Sequence, residues 1–264
     1  MLVHFSKYHG TGNDFVMIDG REQETSLFDT SLIHRLCDRR FGIGSDGLII
    51  LEESKQFDFA MRYFNSDGRE GTMCGNGGRC ITAFAKRLGI LHSNTTFKGI
   101  DGAHEASILP SGEIRLKLVD VSGIKQLEDG YLLDTGSPHF VKFIKNLDQV
   151  QMDRDGAEIR HQLRFGQGGV NVNFVEPGPA PGQITVRTFE RGVEGETWSC
   201  GTGVAAAAIS SCFHSRSDNF SYDVQTRGGK LNITFKSPRH QHFTEIYLTG
   251  PASHVYDGSI EIIV

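Results

Sequence analysis

Two short segments hold the residues best suited to chemistry. Met73-Cys74-Gly75-Asn76-Gly77-Gly78 and Ser199-Cys200-Gly201-Thr202-Gly203 each set a cysteine directly before a Gly-x-Gly turn that opens an apolar, helix-like run. A helix N-terminus carries unpaired backbone N–H groups and the positive end of the macrodipole, both of which favour a thiolate. Glycines beside the sulfur let a ligand carboxylate approach those N–H groups. One such cysteine suggests a nucleophile. Two matched cysteines suggest a pair of acid/base groups acting on opposite faces of a single carbon.

The elements that must position them recur as well. Thr11-Gly12 answers Thr135-Gly136, and Arg40-Phe41-Gly42 answers Arg164-Phe165-Gly166. Arg62-x-Phe64-Asn65 answers Arg187-x-Phe189-Glu190, and Cys74-Gly75 answers Cys200-Gly201. Four landmarks in register imply two homologous halves, a small internal repeat and not a solenoid array. Accidental recurrence of Gly-rich turns would not keep this spacing. The expected fold class is α+β, with two pseudo-symmetric lobes, each a strand-rich barrel or sheet around a central helix. Their expected extents are residues 1–121 and 122–251, the crossing falling near Asp120–Gly123, with 252–264 returning to the first lobe.

Short apolar runs bounded by turn residues predict strands at Phe15–Asp19, Leu48–Leu51, Phe59–Phe64, Thr95–Lys98, Glu105–Leu109 and Glu113–Leu118. In the second half they predict Gln183–Glu190, Tyr222–Thr226 and Lys230–Lys236, and Ser259–Val264 alternates like an edge strand. Helical spacing runs from Gly75 to Leu88, stopping at a C′ glycine, Gly89, and again over Gly203–Phe213. The Ala205–Ala208 run suits a helix packed closely by strands on every side.

With 264 residues, 38% hydrophobic content and a net charge of −5, the chain has the composition of a soluble globular protein. It has no basic footprint for nucleic acid, and no apolar run approaches the ~18–20 residues of a membrane span. Five cysteines without Cys-x-x-Cys pairs fit neither a disulfide framework nor a zinc site, and a reducing cytoplasm is the expected location. Cys37, Cys80 and Cys212 read as packing residues. Nothing marks a pyridoxal phosphate lysine, so no cofactor and no metal are expected.

If the two helix starts face one cleft, an amino acid's α-carboxylate could be held by the N–H groups of Gly75-Asn76 and Gly201-Thr202. Its α-carbon would then lie between the sulfurs of Cys74 and Cys200. One thiolate removes the α-proton and the opposite thiol returns a proton to the other face. His139, after the Ser137-Pro138 turn, either caps that turn or polarises a thiol. Arg40 and Arg164 read as folding residues. Asn65 and Glu190 occupy matched repeat positions with different chemistry, as an asymmetric substrate would require. Two rivals explain less. Gly201-x-Gly203-x-x-Ala206 matches a dinucleotide fingerprint, yet it does not directly follow a strand and leaves both cysteines unexplained. A non-catalytic amino-acid-binding module would need no thiol at either helix start.

Tyr8-His9-Gly10-Thr11-Gly12-Asn13-Asp14-Phe15, Phe64-Asn65-Ser66-Asp67-Gly68, Met73-Cys74-Gly75-Asn76-Gly77, Glu190-Arg191-Gly192 and Ser199-Cys200-Gly201-Thr202-Gly203 resemble the diaminopimelate epimerase family. The likeness runs from Phe5 to about Phe235. It implies a cofactor-independent two-cysteine epimerase of lysine and cell-wall precursor synthesis, interconverting LL- and meso-2,6-diaminopimelate, and often a homodimer. It assigns Cys74 and Cys200 as the paired bases. It places Asn13, Asn65, Asn171 and Arg191 on the substrate, with Glu190 and His139 beside the reacting centre and Gly75, Asn76, Gly201 and Thr202 on the α-carboxylate. Ser137 departs from the asparagine that many members carry, and Gly47 from a glutamine found in some. The related proline racemase and hydroxyproline epimerase group shares the two-thiol logic but not the His9-Gly10-x-Gly12-Asn13-Asp14 or Glu190-Arg191 motifs.

Overall fold

A computed structural model describes residues 1–239 and 241–262. The fold is mixed α+β and divides into two compact units: Met1–Leu116 with Pro251–Val264, and Lys117–Gly250. The chain crosses between them a few residues before the 121/122 boundary expected from sequence. The reason is local: the Leu118 N–H bonds to the Ile246 carbonyl, Val121 bridges Phe243, and Val121 lies in the second unit's core.

In the first unit the strands are β1 (Leu2–Gly10), β2 (Asn13–Asp19), β3 (Gly47–Glu52), β4 (Phe59–Asn65), β5 (Asn94–Gly99), β6 (Gly102–Ile108) and β7 (Ile114–Lys117). The second contains β8 (Ile124–Leu127), β9 (Gly130–Asp134), β10 (Pro138–Phe143), β11 (Asn171–Pro177), β12 (Gln183–Glu190), β13 (Gly195–Thr197), β14 (Ser221–Thr226), β15 (Gly229–Arg239) and β16 (His242–Gly250). The last strand, β17 (Ser253–Glu261), pairs antiparallel with β1 in the first unit. Ile263 and Val264, the end of the strand expected over Ser259–Val264, lie outside the described residues. Helices α1 (Thr30–Cys37) and α2 (Gly75–Arg87) belong to the first unit, α3 (Ala157–Arg160) and α4 (Gly201–Ser215) to the second.

The repeat is visible in the pairings. In the first unit β17–β1, β1–β2, β3–β4, β5–β6 and β6–β7 are antiparallel, while β2–β3 and β4–β5 are parallel. The second unit has the same sequence of pairings: β8–β9, β9–β10, β11–β12, β14–β15 and β15–β16 antiparallel, β10–β11 and β12–β14 parallel. Even the register repeats, Phe15 facing Gly47 as His139 faces Asn171.

Each unit packs its strands around one helix. Helix α2 turns Ile81, Phe84 and Ala85 into the first core and ends at Gly89, whose φ of +74° favours glycine. Helix α4 is contacted by β9–β12 and β14–β16, and Ala205 to Ala208 are all fully buried. Methyl-sized side chains are what allow strands to approach on every side, since interiors are close-packed. Matched ion pairs brace the hairpins that lead to the cysteines. Arg62 bonds Glu52 and Glu70 in the first unit, and Arg187 bonds Glu196 in the second. Arg164 pairs with both oxygens of Asp129 and lies over Phe140 and Phe165. On the first-unit side the held guanidinium is that of Arg39, bonded to Asp14 and Asp46, and not that of Arg40.

Candidate active site

Cys74 is the N-cap of α2, in extended backbone conformation, and its carbonyl accepts the first helical bond from Gly78. Its sulfur lies 3.6 Å from Asn13 Oδ1. Asn13 sits just after the β1–β2 turn, where Gly12 has a φ of +88°, so that turn places it beside the helix start. The Asn13 amide has one possible orientation. Its Nδ2 donates to the Asp46 carboxylate at 2.8 Å, so its Oδ1 points at Cys74 and also accepts from Asn76 Nδ2 at 3.2 Å. Asn76 is fixed in turn, because its own Oδ1 accepts from Arg79 at 2.9 Å. Asp14 and Asp46 are compensated by Lys7 and Arg39. Burial alone would raise the Asp14 carboxyl, but bonds from Arg39 and Lys7 hold it down at about 2.

Cys200 is likewise the N-cap of α4, extended, with its carbonyl bonded by Val204. Its sulfur lies 3.5 Å from Thr202 Oγ1, which is 3.0 Å from His139 Nε2. The tautomer of His139 follows from its neighbours. Asn173 Nδ2 donates to the Phe140 carbonyl and so also to His139 Nδ1, at 3.1 Å, leaving the ring proton on Nε2. Asn173 Oδ1 accepts from Thr188. Burial, with the charge of Arg191 adding to it, draws His139 down to about 3, so the imidazole is neutral at physiological pH. The ring therefore donates toward Thr202 Oγ1 and Ser137 Oγ, and the Thr202 hydroxyl proton is available to the sulfur. Gly203 makes this approach possible, since a Cβ there would lie 2.4 Å from Asn173 Oδ1 and 3.3 Å from Cys200 Sγ.

Of the residues singled out from sequence, the first unit gathers Asn13, Cys74, Gly75 and Asn76 into one cluster. Asn65 ends β4 and accepts from the Tyr63 hydroxyl instead. The second unit gathers His139, Asn171, Cys200, Gly201 and Thr202. Asn171 bonds Ser137 and Pro138 through Nδ2 and accepts the Arg191 backbone N–H at 2.9 Å. Glu190 ends β12, and the Arg191 side chain is exposed. Ser137 is thus tied to both His139 and Asn171. Gly47 is a packing requirement, because a Cβ there would lie 2.6 Å from the Phe64 carbonyl and 2.7 Å from the Tyr63 ring. Sequence reading missed Asp46, Arg79, Asn173 and Thr188. The pair Asn171-x-Asn173 in an otherwise apolar strand was an available signal, since both side chains fall on one face. Among the described residues no three His, Cys, Asp or Glu side chains cluster as metal ligands, and no helix is long and apolar enough to cross a membrane.

These two clusters sit in a chain whose residues 5–118 and 131–255 match the sequence profile described as diaminopimelate epimerase. The chain belongs to the diaminopimelate epimerase family. It is 47% identical to the diaminopimelate epimerase of Flavobacterium psychrophilum, over 96% of this chain and 98% of that one. It is 41% identical to the diaminopimelate epimerase of Chlorobaculum tepidum, over 96% and 99%. Distant solved structures share the fold. A Bacillus anthracis phenazine biosynthesis protein of the PhzF family superposes with a TM-score of 0.76 at 14% identity, covering 99% of this chain and all of that one. A hydroxyproline epimerase from Agrobacterium vitis does so with 0.70 at 13% identity, covering 98% and 92%. In this chain both cysteines hold the same place in their units, the N-cap of the helix around which the strands pack.

Proposed function

We propose that this chain interconverts LL- and meso-2,6-diaminopimelate without a cofactor, by proton transfer between the substrate α-carbon and two bases, Cys74 and Cys200. The observation that carries the reading is the matched placement of both thiols at helix starts in a member of this family. In each turnover one thiolate takes the α-proton, leaving the electron pair on carbon and its carboxylate, and the other thiol protonates the opposite face. The two sulfurs thereby exchange protonation states. Backbone N–H groups at Gly75-Asn76 and Gly201-Thr202 are suited to the α-carboxylate and to the charge that develops on it. Asn13, Asn65, Asn171, Glu190 and Arg191 are the candidate contacts for the rest of the substrate. The reading extends to lysine and cell-wall precursor synthesis in the cytoplasm, and to a homodimer, which sedimentation would test.

Purified protein incubated with LL-diaminopimelate in deuterated water tests the chemistry. Deuterium entering mainly the newly formed epimer during the first turnovers supports two bases, whereas equal early labelling of recovered substrate and product points to one. Turnover of L-proline in place of diaminopimelate would overturn the substrate assignment.

A further inference from the structure

Arg79 is the largest of the fully buried side chains. It is fully buried, and its guanidinium donates to the carbonyls of Gly75 and Pro251, to Thr11 Oγ1 and to Asn76 Oδ1, at 2.9–3.4 Å. Every one of these acceptors is neutral, and Arg79 has no carboxylate partner among the described residues. A buried cation held only by neutral oxygens is expensive. Burial draws its pKa down to about 10, which still leaves it charged at neutral pH. Gly10 makes room for it, since a Cβ there would lie 3.1 Å from Nη2.

The charges around it do not cancel it. From β1 and β2, Lys7 and Asp14 form, with Arg39 and Asp46, a set of two cations and two anions. From β17, Asp257 is paired with Arg87 and bonded by His254, and in the turn before β6 Asp101 is paired with His104. His9 on β1 accepts from the Gly12 N–H. Glu52 on β3 is bonded by Arg62. Cys80, the next residue on α2, is pushed up to about 12 by burial and is a neutral thiol. At the matching position of the second unit, five residues after its cysteine, stands Ala205.

What lies at the other end of its hydrogen bonds gives the charge a purpose. Arg79 fixes Asn76, Asn76 donates to Asn13 Oδ1, and that oxygen faces Cys74 Sγ. An amide oxygen aimed at sulfur favours the protonated thiol. A second influence is needed if Cys74 is to give up its proton and take it back at similar cost. We infer that Arg79 is a positioning residue whose buried charge, acting through Asn76 and Asn13, offsets this preference and makes the Cys74 thiolate accessible. The inference rests on the two-base reading above.

The test reads the pH dependence of iodoacetamide alkylation at Cys74 and Cys200 by peptide mapping, without substrate, in the wild type and in Arg79→Met and Arg79→Lys. In the wild type Cys74 should have its midpoint below the ~8.5 of an unperturbed cysteine. In Arg79→Met it should rise by about one pH unit, the lower end of what a nearby opposite charge does, with Cys200 unchanged. At neutral pH kcat should fall about tenfold, in line with the smaller thiolate fraction, with little change in KM. Arg79→Lys should restore the Cys74 midpoint. A folded Arg79→Met with the wild-type midpoint overturns the inference, as does an equal rise in Arg79→Lys. Should Arg79→Met lose its cooperative melting transition, the wild type decides: a Cys74 midpoint at or above 8.5 refutes it. Because alkylation needs no substrate, failure to turn over diaminopimelate would sink the functional reading and leave these midpoints standing.

Discussion

The neutral state of His139 makes a quantitative prediction about acid stability. In the unfolded chain this histidine titrates near 6.5, whereas in the folded second unit it is held down to about 3 by burial and by the charge of Arg191. Its folded pKa is depressed, so the stabilising contribution is complete above about 6.5 and is lost as pH falls toward 3. Through that window the unfolded state binds a proton that the native state refuses. Lowering the pH from 7 to 4.5 crosses two units of the window, which at about 1.4 kcal/mol per unit costs roughly 2–3 kcal/mol. His139→Asn removes the titration while keeping a polar side chain of similar reach. The assay is urea unfolding of both proteins at pH 7 and pH 4.5, taking the difference of differences. Carboxylates such as Asp14, which lose their native advantage only between about 3.8 and 2, then contribute little and equally. The wild type should lose roughly 2–3 kcal/mol more than the variant over this interval. Equal losses would mean that His139 takes up a proton in the native state, and the Nε2–H to Thr202 relay would have to be abandoned.

Cys74→Ala and Cys200→Ala should each abolish epimerisation while leaving the melting temperature within a few degrees, measured by coupled assay and calorimetry; a single variant with wild-type kcat refutes the pairing. Arg191→Lys should lower kcat/KM for diaminopimelate about tenfold or more, because lysine cannot reproduce a bidentate hold on the distal carboxylate; unchanged kinetics would reduce Arg191 to its backbone bond with Asn171. Gly203→Ala forces a Cβ to within 2.4 Å of Asn173 Oδ1, and overpacking of this kind costs about 1–3 kcal/mol. It should show as a lowered urea midpoint together with slower Cys200 alkylation, and an unperturbed midpoint would mean the helix start shifts freely.

The strands that sequence reveals are those whose burial is one-sided or complete. Leu48–Leu51 and Gln183–Glu190 fall within or on β3 and β12, and the helix expected over Gly75–Leu88 ends with its cap at Leu88. β1 is harder to read because polar Ser6 and Lys7 are buried in it, Lys7 bonding the Gly44 carbonyl and Asp14. Helix α1 is only eight residues long, set by the Asp29 cap on the Leu32 N–H, too short for periodicity to stand out. In the site, the cysteines and their turns are local in sequence and easily read. Asp46, Asn173 and Thr188 act through partners 15 to 34 residues away, contacts that exist only once strand pairing has brought distant segments together, parallel for Asp46 with Asn13 and Asn173 with His139, antiparallel for Thr188 with Asn173. Arg79 was hidden for a different reason: on a helix, an arginine reads as solvated unless the packing around it is known.

The two units share their strand pairings but differ where they meet sulfur. Asn13 corresponds to Ser137, Asn76 to Thr202 and Arg79 to Ala205 by position relative to the repeated turns and cysteines. The result is opposite hydrogen-bond polarity. Cys74 faces an amide oxygen, an acceptor held in place by Asp46 and backed by a buried cation. Cys200 faces a hydroxyl fed by a neutral imidazole, hence a donor. Identical surroundings would give two thiols of equal proton affinity, and the enzyme would be divided among doubly protonated, doubly ionised and mixed forms. On the proposed two-base mechanism, an acceptor beside Cys74 suits its thiol and a donor beside Cys200 suits its thiolate, and the role inferred for Arg79 would keep the exchanged form within reach. An epimerase that runs in both directions through two bases needs both mixed forms to be populated, and on that proposal a backbone duplicated in fold but not in polar side chains is suited to supply them.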